Sequence, residues 1–144
     1  MAGALLDTHA LYWLFSGAKE LSEAALVAIG ENQAAGSLYV SPITAWELGV
    51  AAQKAAGRRP DLGGQSPRDW FRAAIRLTEA KLVPVTLRVG LEAADVAMVY
   101  PRKDPGDCLL IATARTRKLS IITRDRLMLD LAVKHPAYLS AIEC

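Results

Sequence analysis

Four carboxylates stand where a fold could gather them. Asp7 follows the apolar run Ala4-Leu5-Leu6, and Asp125 follows Ile121-Ile122-Thr123-Arg124. Glu47 lies within Ser41-Pro42-Ile43-Thr44-Ala45-Trp46-Glu47-Leu48, and Asp107 closes Asp104-Pro105-Gly106-Asp107. Acids converging on one spot repel one another unless something positive neutralises them. A hard divalent cation does so, because Mg²⁺ takes oxygen ligands and keeps some of its waters. Such an ion polarises a phosphoryl oxygen and activates water, so an acid-only set suits phosphodiester hydrolysis. The two histidines, His9 and His135, lack zinc spacing, and the two cysteines, Cys108 and Cys144, are too few for a Cys-rich site.

Each acid also has a plainer reading. Asp7 can cap a helix beginning at Thr8, and Asp104 reads as an N-cap before Pro105. Asp107, three residues on, can complete a capping box, and Asp125 can be a turn residue. Glu47 resists such a reading. Ile43, Trp46 and Val50 follow the spacing of a buried helical stripe, and Glu47 lies beside it on the side of Ile43 and Val50. Thr123 could hold a metal or its water through the hydroxyl, or be an ordinary strand-end residue. Glu92, Asp95, Asp130, Glu143 and the acids from Glu20 to Glu31 read as solvated charges on helix faces. Trp13, Trp46 and Trp70 read as packing residues, and Cys108 as a small buried one.

The elements that must position these groups alternate. Short strands are predicted at 3–6, 37–40, 82–85, 119–123 and 138–142, with Pro84 marking an edge. Helices are predicted at 8–15, 23–31, from Pro42 to about Ala56, after Ser66-Pro67, at 89–99 and after Asp104-Pro105. Ser41 and Ser66 serve as N-caps with proline at the first helical position. Trp70, Phe71, Ala74, Ile75 and Leu77 supply the apolar face of the helix after Ser66. The alternation implies an α/β fold whose short, mostly parallel sheet is covered on both faces. Ligands of such sheets gather beyond the carboxyl ends of the strands, where Asp7 and Asp125 fall.

The chain has 144 residues, 52% hydrophobic and 22% charged, which suits one domain over 1–144 and argues against disorder. A net charge of +2 is too small for a polycationic binder. No signal peptide, membrane span or repeat is visible, so a reducing, cytoplasmic setting is expected. The basic residues cluster: Lys54, Arg58, Arg59, Arg68, Arg72, Arg76 and Lys81 in one stretch, Arg102, Lys103, Arg115, Arg117, Lys118, Arg124 and Arg126 in another. Cation-rich segments bordering an acidic pocket suit a nuclease, with Arg58, Arg59 and Arg124 as candidate RNA contacts; ordinary solvated helix charge is the other reading.

Four blocks in order resemble the PIN-domain family, and within it the VapC-type toxins of bacterial toxin–antitoxin pairs. They are Leu5-Leu6-Asp7-Thr8-His9-Ala10, Ser41 to Leu48, Asp104 to Ala114, and Ile122-Thr123-Arg124-Asp125. The resemblance covers nearly the whole chain. It implies a three-layer α/β/α fold and an endoribonuclease dependent on Mg²⁺ or Mn²⁺. Asp7, Glu47, Asp107 and Asp125 match the family's acidic quartet, with Thr123 and Asp104 as supporting candidates. A cognate antitoxin that covers the site and a homodimer are implied as well. Two departures stand out: Cys108 where this branch often has a basic residue after the third acid, and Pro101-Arg102-Lys103 where a His often precedes the Asp-Pro pair.

Two alternatives compete. One is a catalytically silent PIN scaffold that binds RNA or a protein partner. The other is a haloacid-dehalogenase-like phosphohydrolase with Asp7 as nucleophile, but that pattern carries a second acid where this chain has His9.

Overall fold

The computed structural model describes residues 3–102 and 104–144. Met1, Ala2 and Lys103, the last counted in the second basic segment, lie outside the described residues. Strands β1 (Ala4–Leu6), β2 (Leu38–Val40), β3 (Lys81–Leu82), β4 (Ser120–Thr123) and β5 (Ala141–Glu143) form one sheet in the order β3-β2-β1-β4-β5. Every pairing is parallel, with Leu6 opposite Val40 on one side and Ile122 on the other. Helices α1 (Thr8–Ser16), α2 (Glu23–Ala35), α3 (Pro42–Ala51), α4 (Pro67–Thr78), α5 (Leu87–Val96), α6 (Pro105–Arg117) and α7 (Arg126–Lys134) connect and cover it.

Alternation along β1 separates two cores. Ala4 and Leu6 join Ala10, Leu11, Ile29, Leu48 and Trp70 on one face, whereas Leu5 joins Val96, Leu110, Ile111 and Met128 on the other. Both leucines are fully buried, a gain of about 2 kcal/mol each. The result is three layers. The chain leaves β1 toward β2 on one side and returns to β4 on the other, so the topological switch lies between β1 and β4. There the Asp7 amide donates to the Ile122 carbonyl at 3.0 Å.

Several boundaries and faces differ from the sequence expectation. The helix expected to reach Ala56 ends at Ala51 and gives way to a 3-10 turn at Ala56–Arg58. Its buried side is Thr44 and Leu48, not the expected stripe: Trp46 is 59% and Val50 43% exposed. The reason is the Thr8–Thr44 hydroxyl contact (3.2 Å), together with the seating of Leu48 in the α1–α4 core; these turn the Trp46 face outward. Leu77 is likewise exposed, since α4 buries Trp70, Ala73, Ala74 and Thr78. Pro84 lies just past β3, which is the sheet edge, as expected. Glu143 sits on a strand rather than a helix and pairs with Arg126, while Glu92 pairs with Arg115. Among the described residues no helix is long and apolar enough to cross a membrane.

Candidate active site

Asp7 ends β1 and caps α1. Its Oδ1 accepts from the Thr8 amide at 2.6 Å and its Oδ2 from the Thr123 hydroxyl at 2.7 Å. The carboxylate is 6% exposed, and burial pushes its pKa above the ordinary range, against the pull of those two donors and His9. Thr123 also accepts from the Asp125 amide at 3.0 Å, so one hydroxyl ties the ends of β1 and β4 together. Asp125 in turn caps α7 through Leu127 and Met128.

The second half of the site comes from α3 and α6. Asp104 caps α6 through the Asp107 amide at 3.0 Å. Oxygens of Glu47, Asp104 and Asp107 lie within 4.8 Å of one another, a spacing that one cation can bridge. The Thr8 hydroxyl donates to Glu47 Oε1 at 2.5 Å. Burial, opposed by Thr8 and reinforced by Asp7, Asp107 and Asp104, pushes Glu47 up to about 7. Burial and Asp104 similarly push Asp107 up to about 6. The acids thus sense one another electrostatically, although they come from positions 7, 47, 104, 107 and 125. Helix N-termini help them coexist: α1, α6 and α7 each begin at one of these carboxylates, with the positive end of the helix dipole toward it.

Capping and site formation are therefore the same contacts. Asp7 and Asp104 are N-caps, as their plainer readings had it, Asp125 is an N-cap rather than the turn residue expected, and all three lie at the carboxyl end of the sheet. Glu47 is partly buried for a reason other than the stripe expected to bury it. A Cβ on Gly106 would lie 2.7 Å from Glu47 Oε2, so the bare glycine lets Glu47 approach the first turn of α6.

Sequence reasoning missed four contributors. Thr8 and Gly106 hold and admit Glu47. The Tyr100 hydroxyl lies 3.1 Å from Asp107 Oδ2 and 3.4 Å from Asp125 Oδ1, on a fully buried side chain. Arg102 forms ion pairs with both of those acids. The pattern of acids marked the site, but a Tyr and an Arg before Asp104 carry no spacing signal of their own. Of the candidate RNA contacts, Arg58 and Arg59 are exposed beyond α3. Arg124 donates to the carbonyls of Cys144 and Glu20 and stacks over Trp13, with 4.2 Å from its guanidinium carbon to the ring centroid.

A cleft of about 290 Å³ opens beside the acids, lined by Trp46, Glu47, Lys54, Asp104 and Gly106 among others. A larger concavity of about 630 Å³ lies at the other end of the sheet, around Arg115, Lys118 and Tyr138, and among the described residues no carboxylate lines it.

The PIN domain family model matches residues 4–134. The chain belongs to the PIN-domain family. No curated protein is similar enough to count as a match. Similar solved structures include DNA-bound VapBC from Salmonella typhimurium, at 15% identity and a TM-score of 0.65 over 99% of this chain and 98% of that one. VapBC-5 from Mycobacterium tuberculosis matches at 20% identity and 0.63 over the full length of both chains. A toxin–antitoxin complex from Klebsiella pneumoniae matches at 24% and 0.56, over 85% of this chain and 87% of that one. At these identities the likeness is one of fold. The PIN family is a nuclease family, and the acids described above occupy the sheet end where an α/β fold binds its ligands.

Proposed function

We propose that this PIN-domain chain is an endoribonuclease dependent on Mg²⁺ or Mn²⁺ and the toxin of a toxin–antitoxin pair. One observation carries the reading: carboxylates from five separated positions gather at the β1–β4 switch, and three of them present oxygens within 4.8 Å of one another. The donor set fits a hard cation, being all oxygen. Burial, with the neighbouring acids adding to it, raises the pKa values of Asp7, Glu47 and Asp107, as expected where carboxylates gather away from water. Glu47, Asp104 and Asp107 present the close spacing; Asp7, outside the trio, would join Glu47 and Asp107 in holding the ion, with Asp104 and Asp125 completing the surroundings. Bound there, it would polarise the scissile phosphate and acidify a water.

The chain's own groups do the rest. Thr123 and the Thr8 amide fix Asp7 in one rotamer, and the Thr8 hydroxyl aims Glu47. A carboxylate so placed can orient the attacking water and take up its proton. Lys54 on the cleft wall, together with Arg58 and Arg59 beyond it, would meet flanking phosphates of a single-stranded or looped RNA. Replacing both arginines by Ala should lower the salt slope of RNA binding; an unchanged slope removes them from the footprint.

The similar structures include a toxin–antitoxin complex and a member of the VapBC family of toxin–antitoxin systems, which supports a protein antitoxin as partner. A homodimer and a cytoplasmic setting are proposed on the family resemblance. The phosphohydrolase alternative is disfavoured by the family match and by His9, which stands where that pattern carries a second acid. Asp7→Asn should abolish RNA cleavage and leave the circular dichroism spectrum unchanged. Equal cleavage by variant and wild type, with contaminating nuclease excluded, contradicts the proposal. A chain that takes up no divalent ion returns the silent scaffold.

A further inference from the structure

The acidic notch is not electrically uniform. On its Glu47 side, Glu47, Asp104 and Asp107 face one another, and among the described residues no ion pair reaches Glu47 or Asp104. On its Asp125 side stands a cation that the chain supplies itself. The Arg102 Nε lies 3.4 Å from Asp107 Oδ2, while Nη2 pairs with Asp125 Oδ2 and donates to the Tyr100 hydroxyl at 3.0 Å. Tyr100 closes the group by lying against both acids. Burial pushes the Tyr100 hydroxyl well up, so it stays a donor.

Resting on the metal-nuclease reading above, we propose that Arg102 is a built-in counter-cation standing where a second ion would bind, so that the notch takes a single divalent ion on its Glu47 side. In two-ion sites the ions sit about 4 Å apart and share an acid between them. Here Asp107 belongs to the Glu47 trio and also pairs with Arg102, whereas Asp125 pairs with Arg102 and lies outside that trio. The guanidinium engages Oδ2 of each acid. A planar, always-charged fork suits this role, since it spans two carboxylates and the phenol at once. Its side chain is 46% exposed, so its outer edge remains open to solvent and to a phosphate oxygen of a bound strand.

Mn²⁺ titration calorimetry on wild type, Arg102→Lys and Arg102→Gln tests this without reference to activity. Wild type and Arg102→Lys should each take one ion per chain, and Arg102→Gln two. The exposure of the side chain makes all three expected to fold, which circular dichroism checks. Two ions in wild type or in Arg102→Lys, or one in Arg102→Gln, overturn the inference while leaving the metal reading intact. No uptake by wild type removes the metal reading itself, and the inference with it.

Discussion

At the scale of single residues, the acids are held by contacts that serve the fold and strained by one another. Glu47 titrates near 7 and Asp107 near 6 in the folded chain, against ordinary values of 4.5 and 3.8. Between those limits the metal-free folded state holds more protons than the unfolded chain, so its stability falls as pH rises from about 4 to about 7 and then levels. Thermal melts of the metal-free protein should therefore show a lower Tm at pH 7.5 than at pH 5, by several degrees. Mn²⁺ should reverse the order by stabilising the ionised acids, and its binding at pH 6.5 should release protons, read as a buffer-dependent enthalpy. A metal-free Tm that rises over that pH interval contradicts the assignment of burial as the dominant cause. By the same logic, Asp7→Asn removes a buried charge and should raise the metal-free Tm at pH 7.5 by roughly 3 °C, or about 1 kcal/mol in a chain of this size.

At the scale of elements, the site depends on how closely α3 approaches the first turn of α6. Gly106 sets that approach, because a methyl group there would meet Glu47 Oε2 at 2.7 Å. The clash is with the end of a flexible side chain, so Gly106→Ala should keep or slightly raise the Tm, alanine being the better helix former. It should weaken Mn²⁺ binding about tenfold by turning Glu47 aside; undiminished affinity would mean that Glu47 is not a ligand. The sequence announced several helices through their caps: Ser41, Ser66 and Asp104 all cap the helices that follow them. It was less informative about faces. On α3 the apolar spacing of Ile43, Trp46 and Val50 suggested burial, yet small and polar Thr44 lies inside, because the Thr8 hydroxyl opposite satisfies it. Hydrophobicity patterns cannot register a buried threonine whose partner lies 36 residues away.

At the scale of the whole molecule, a five-stranded parallel sheet with a switch between β1 and β4 gathers residues from both ends of the chain at one edge. The acids were legible because strand ends and helix starts leave marks in sequence. Tyr100 and Arg102 were not, since they reach the site from a turn after α5 whose path only the fold determines. The exposed Trp46 and Val50 of α3, Leu87 and Leu91 of α5, and Met98 just after it leave apolar surface available to partners. The proposed antitoxin and second subunit would cover such surface. Every part of this account requires that the gathered carboxylates bind a divalent ion. Mn²⁺ calorimetry at pH 7.5 on wild type beside Asp7→Asn is the most direct test. Wild type should show saturable uptake and the variant at least hundredfold weaker binding. Equal binding by the two, or none by wild type, would contradict this.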